Sequence, residues 1–247
     1  MWLKWIVLFS LTSSAWAFRL TSDFTNGFYW STLPINITVI ENDPSRKSMM
    51  EDLAQAVIDE WQTSSGLSLW DYTGSGTKNI IRWSTNFAAE TRMDPDSTLA
   101  VAIRYTSGPY FARTEIVING GHSLNQNQAH LRTTLTHELG HTMGLDHSDV
   151  WQAVMAPTLQ TMYMGLHADD IQGVQAAHAE MEHRQVTGYV SPLSYATEET
   201  QGQPLSCGTL GPVTATSGVN VNSFLSLAGG LLISFVRKVV KWFKSRM

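Results

Sequence analysis

The sequence predicts an α+β domain, on three observations. Short segments of alternating apolar residues recur between positions 35 and 120. Three stretches carry apolar residues at helical spacing. Within the second of these, residues 137 to 147 read HELGHTMGLDH, so three of the eight histidines sit in eleven positions.

The elements follow in order. NGFYWSTLPINITVIEND opens with turn residues and reaches Ile35, Ile37 and Val39, whose alternation predicts a half-buried strand. In RKSMMEDLAQAVIDEWQTS (46–64), Met50, Leu53, Val57, Ile58 and Trp61 recur at helical spacing. Gly66 and Gly74-Ser75-Gly76 mark loops. NIIRWS (79–84), TLAVAIRYT (98–106) and ARTEIVING (112–120) predict three more strands. A second helix is expected over 127–143, with Leu131, Leu135, Leu139 and Met143 every fourth residue. A third is expected over 168–183, with Ile171, Val174, Gln175 and Ala179 on one stripe. Asp169 and Asp170 occupy its first turn, where the helix dipole favours negative charge.

Composition bounds the rest. The chain has 247 residues, 43% apolar and 15% charged, which suits a globular core. Every acidic residue lies between Asp23 and Glu199, and over residues 18–199 these 21 acidic residues face ten basic ones. So acidic a body argues against nucleic acid as a partner. At the N-terminus, Lys4, the apolar run from Trp5 to Leu11 and Ala15-Trp16-Ala17 have the order of a signal peptide over 1–17. Cleavage there would export the protein with Phe18 as first residue. Cys207 is the single cysteine, so no intrachain disulfide can form. Of the 32 residues in 187–218, 18 are Gly, Ser, Thr or Pro, which predicts an extended linker after a domain over 18–186.

The segment 219–247 has an apolar run and then five basic residues. The 13 residues 224–236 reach about 20 Å as a helix, short of the ~30 Å hydrocarbon core. Extended back to Val219, the run has 18 residues and barely spans. Interleaved Val239, Val240, Trp242 and Phe243 also suit a basic amphipathic helix on anionic lipid. We expect a membrane anchor or a sorting tail, retained at the envelope or removed to release a secreted protein. Its order resembles bacterial C-terminal sorting tails, in which a segment like Cys207-Gly208-Thr209 takes part in processing.

The histidine spacing carries the chemistry. On a helix, His137 and His141 lie one turn apart on one face and can converge on one ion. Glu138, one step round, is poorly placed as a ligand but suits proton transfer to and from an attacking water. Gly144 permits a left-handed turn that brings His147 round as third ligand. Three neutral imidazoles with a fourth position open to water are the pattern of catalytic zinc. His122, His130, His167, His178 and His183 are isolated and read as ordinary residues.

HELGHTMGLDH resembles the metzincin zinc signature. Met155, in AVMAP, stands where that family has its methionine turn. Within it the chain resembles a matrixin, of the matrix-metalloproteinase type. Ser148 follows the third histidine, Pro157 follows Met155 by two, and LHADDIQGVQ (166–175) resembles the third matrixin helix. The resemblance implies a zincin fold: a mixed twisted sheet of four to five strands, three helices, and a zinc cleft between upper and lower subdomains. It implies a zinc metalloendopeptidase, with Glu138 catalytic and His137, His141 and His147 holding the metal. TLAVAI (98–103) resembles the edge strand along which matrixins lay an extended polypeptide. Leu99 and Ala100 are then substrate-binding residues, and Pro157 and Leu159 line the specificity pocket. The family also implies that an ammonium at Phe18 can pair with Asp169 or Asp170.

Departures set further expectations. Val101 stands where matrixins place a histidine for a structural zinc, and TEIVING offers only Glu115 as an acidic ligand. One catalytic zinc is therefore expected, without a second zinc or calcium. Cys207, in SCGTLG, lies outside the inhibitory motif of the family's prodomain, which argues against latency through a thiolate. A different class of function stays open: a membrane-active protein with a cationic C-terminal helix and a structural zinc. A third is a zinc-dependent peptide-binding protein. Substrate preference and oligomeric state stay open as well.

Overall fold

The computed structural model describes residues 17–158, 165–194, 199–202 and 204–207. The signal-peptide segment up to residue 16, Leu159 and the apolar-basic tail lie outside them. Among the described residues, no helix is long and apolar enough to cross a membrane.

Five α-helices are described: α1 (Ser22–Thr25), α2 (Pro44–Ser65), α3 (Phe87–Thr91), α4 (Gln128–Thr142) and α5 (Ala168–Thr187). The strands are β1 (Ile35–Ile40), β2 (Trp70–Tyr72), β3 (Ile80–Ser84), β4 (Ala100–Ser107), β5 (Tyr110–Asn119), β6 (Thr200–Gln201) and β7 (Leu205–Cys207). They form one mixed sheet in the order β2-β1-β3-β5-β4, with β6 and β7 both paired to the far side of β4. β1 is parallel to β2 and β3, and β3 to β5. β4 is antiparallel to β5, joined by the tight turn at Gly108.

The longer helices start where their capping residues allow. Asp43 accepts from the amides of Ser45 and Arg46 ahead of α2, with Pro44 in the first turn. Asn127 accepts from the amides of Ala129 and His130 to open α4. His167 and Asp170 form a reciprocal capping box on α5. His167, an isolated histidine in the sequence, is therefore an N-cap.

The main core lies on one face of the sheet. Ile37, Ile81 and Ile116 meet Val57 and Trp61 of α2, Leu135 and Leu139 of α4, and Val174 of α5. Each such aliphatic side chain contributes roughly 1.5–3 kcal/mol when fully buried. A smaller cluster of Phe87, Val101, Ile103 and Val117 occupies the other face under α3.

Two expectations change. The sheet has seven strands rather than four to five. Five come from the expected domain. The other two come from the stretch read as linker, because β4 offers unpaired backbone groups that such a sequence can satisfy. The second change concerns β4. The resemblance implies an exposed edge at Leu99 and Ala100, yet Leu99 and Ala100 are both buried and Ala100 pairs with Cys207.

Candidate active site

α4 carries the first half of the site. His137 and His141 lie one turn apart on it with Glu138 one step round, and all three are fully buried. Three tryptophans tie the helix down. Trp61 Nε1 donates to the Thr136 carbonyl at 3.0 Å, Trp30 Nε1 to the Thr142 carbonyl at 2.8 Å, and Trp70 Nε1 to Thr142 Oγ1 at 2.9 Å. Buried indoles need such partners. Each therefore fixes the helix as it fills the core.

The chain leaves α4 through Gly144, at φ +92°. A Cβ built there would meet Phe24 Cδ2 at 2.5 Å, so both the turn and the close approach require glycine. His147 follows. The ring centroids of the three histidines lie 4.6, 5.2 and 5.0 Å apart. Their candidate ligand atoms lie within 4.8 Å of one another. This is the group of metal-ligating side chains found among the described residues.

The fit to zinc rests on hydrogen bonding. His137 Nδ1 contacts the Val154 carbonyl at 2.7 Å, and His141 Nδ1 the Leu145 carbonyl at 2.8 Å. A carbonyl only accepts, so each Nδ1 carries the proton and each Nε2 keeps its lone pair. Both Nε2 atoms are buried and have no hydrogen-bond partner. Two buried lone pairs left without donors are costly unless a cation takes them. Backbone orientation of the distal nitrogen is also how zinc-binding histidines are held. Burial pushes the pKa of His137 down to about 3, helped by the nearby His147. Burial likewise holds His141 well below its ordinary value. Both rings are thus neutral and ready to ligate at neutral pH.

The second half of the site hangs on α5. Asp170 accepts from the amides of Val154 at 2.9 Å, Met155 at 3.0 Å and His167 at 2.8 Å. Burial raises its pKa in spite of these donors. Asp169 accepts from Ser148 Oγ at 2.6 Å, and Ser148 Oγ accepts from the Val150 amide at 3.0 Å. The Ser148 amide donates to the Met155 carbonyl at 2.8 Å. Two aspartates and one serine therefore set the loop from His147 to the turn at Met155. Met155 itself is buried under α4. A Cβ on Gly140 would come within 2.4 Å of Met155 Sδ and 3.3 Å of Trp61 Cζ2. The glycine inside HELGH lets the thioether pack closely against α4 at the turn between His137 and His141.

Sequence reasoning missed several supports. Arg104, almost wholly buried, donates from Nε to Asp23 Oδ2 at 2.9 Å and from Nη2 to Asp23 Oδ1 at 2.6 Å. Its Nη1 donates to the His141 carbonyl. It thereby links β4, α1 and the end of α4. Asn119 Nδ2 donates to the Thr98 carbonyl at 2.7 Å, and Asn125 Nδ2 to the Leu99 carbonyl at 2.7 Å. These two amides hold the entrance of β4. Only an arginine in an otherwise apolar strand was visible as a hint. Pro157 lies just past the turn and is half-buried, while Leu159 is outside the described residues. Phe18 packs on α5, since a Cβ on Gly173 would meet Phe18 Cβ at 3.1 Å.

A methionine turn beneath a helix with two histidines, and a third histidine past a glycine, defines one class of protein, the metzincin zinc metalloendopeptidases. Within that class the chain belongs to the matrixin family, whose model matches residues 29–179, more than half of its length. Over 52 residues it is 42% identical to human matrix metalloproteinase-19, covering 20% of this chain and 10% of that protein. Over 90 residues it is 38% identical to mouse matrix metalloproteinase-19, covering 36% and 15%. Rabbit macrophage metalloelastase is 46% identical over 54 residues, covering 20% and 11%. The chain thus spans at most 15% of the length of these relatives.

Proposed function

We propose that this chain is an exported zinc endopeptidase in which Glu138 is general base and then general acid. The observation that carries this is a fully buried carboxylate next in sequence to a ligand histidine, beside two oriented imidazole lone pairs. His137, His141 and His147 would hold the metal. When bound, zinc supplies Lewis acidity, polarising a carbonyl and easing loss of a proton from water. Glu138 accepts that proton during attack and delivers it to the leaving amine. The buried walls of α4 and the methionine turn keep competing water from the carboxylate.

The substrate is an extended polypeptide that would add to β4 beside Leu99 and Ala100 through main-chain hydrogen bonds once β7 leaves that edge. Selectivity falls to the wall that starts at Ala156-Pro157 and runs on to Leu159. Export follows from the N-terminal order of charge, apolar run and small residues. Attachment to membrane follows from the apolar-basic tail. Mass spectrometry of both mature termini tests those two points.

Glu138→Ala tests the catalytic assignment. The variant is expected to bind zinc with wild-type stoichiometry and to hydrolyse casein or a peptide library at least about a hundredfold more slowly. Wild-type rates in that variant would remove Glu138 from the reaction.

A further inference from the structure

The outer side of β4 is not left open for a substrate. Tyr105 pairs with Gln201 and Thr106 with Thr200. Ala100 pairs with Cys207, Val101 with Ser206 and Ala102 with Leu205. Both stretches run antiparallel to β4, and their registers differ by one residue. β6 and β7 therefore both follow β4, with a one-residue offset in register, a bulge, between them. Pro204, which has no amide hydrogen to donate, sits at the bulge. Gly202 keeps the ladder going, since its amide donates to the Arg104 carbonyl at 2.7 Å. A Cβ on Gly202 would lie 2.8 Å from that carbonyl, so only glycine approaches so closely. Glu199 pairs with Arg113 Nε at 2.5 Å at the start of the segment. β7 also packs against α4, the helix of His137, Glu138 and His141.

We propose that β6 and β7 are a built-in occupant of the substrate edge. They cover β4 by the same main-chain pairing a polypeptide would use, and so hold the enzyme latent until they are displaced. This rests on the catalytic reading above. The physical driver is tethering. Thr187 ends α5, and a connection of about a dozen residues presents the strand at an effective concentration in the millimolar range. A free peptide present at micromolar concentration competes poorly with that. The hold is also releasable. The segment is short, its ion pair is partly exposed and so weakened by solvent, and the bulge interrupts the ladder.

The test uses the full zinc-loaded chain and two ways of freeing the segment. Gly202→Val places a branched side chain against the Arg104 carbonyl. Separately, a recognition sequence for an unrelated site-specific protease is placed in 195–198 and cut after folding. Three quantities are compared with the uncut wild type: peptide kcat/KM, affinity for a peptidyl hydroxamate, and amide exchange at residues 100–102. Release is expected to raise kcat/KM and hydroxamate affinity at least tenfold and to speed exchange. Faster exchange with unchanged affinity would overturn the proposal, because the strand would then leave without opening the site. Unchanged exchange in both forms would overturn it too, because the strand would not be covering those amides. If no form hydrolyses any peptide, the catalytic reading falls, while affinity and exchange still decide occupancy. Cys207→Ser is expected to stay latent. Relief by Cys207→Ser equal to that from Gly202→Val would replace backbone occupancy with a thiol ligand.

Discussion

At the scale of single residues, the site depends on side chains that are missing as much as on those present. Gly140 is the clearest case. Alanine there would gain about 1 kcal/mol of helix propensity. It would also push a methyl into Met155 and Trp61 in a packed core, where overfilling costs typically 1–3 kcal/mol. The steric cost should win. Gly140→Ala is expected to lower the thermal midpoint and to weaken zinc binding, because Met155 supports the turn whose Val154 carbonyl orients His137. Calorimetry and chelator competition measure the two effects. A more stable variant with unchanged metal affinity would refute the account. The pairing of His137 with His141 and the place of Glu138 beside them were legible from spacing, since helical geometry is local, and Gly144 marked the turn that brings His147 to them. The role of Gly140 was not, because the atom it makes room for is fifteen residues away.

Among elements, the start of α5 does more than end a loop. Asp169 and Asp170 were expected as partners for the ammonium of Phe18. In the structure their carboxylates already hold Ser148 and the amides of Val154, Met155 and His167. Phe18 does lie against Gly173, one turn further along α5. The two aspartates therefore position the third histidine and the methionine turn through the backbone. Asp170→Ala strips an acceptor from three amides, two of them on the buried turn. Each buried donor left unpaired costs about 1–3 kcal/mol. The variant is expected to lose several kcal/mol in urea unfolding and to bind zinc more weakly. Asp170→Asn, which keeps one acceptor oxygen, should fall between the two. Equal stability of all three would show that the turn holds itself. Element types were largely readable from periodicity. The boundaries of β4 and β5 shifted by a few residues, and β2, α1 and α3 were missed because short elements carry little pattern.

For the whole molecule, burial of neutral imidazoles predicts acid sensitivity. His137 and His141 have folded-state pKa values far below 6.5. The unfolded chain thus takes up protons first as pH falls. Stability is complete above about pH 6.5 and declines as pH drops towards about 3. Each proton bound only by the unfolded chain costs about 1.4 kcal/mol per pH unit in that window. Urea midpoints of the metal-free chain at pH 7, 5.5 and 4.5 should fall in that order. A flat profile would contradict the burial of these rings. By itself the sequence singled out the three histidines that the fold brings together, the carboxylate beside them, the helix that carries His137, Glu138 and His141, and the α+β class. Those features rest on spacing along one helix and on apolar periodicity, which neighbouring residues specify. Only the tertiary structure decided that Arg104 braces α4, that Asp170 holds the methionine turn, and that β6 and β7 lie along β4. Each of these joins segments from 15 to more than 100 residues apart. Backbone hydrogen bonding, which makes strand addition possible, leaves almost no imprint on side-chain identity.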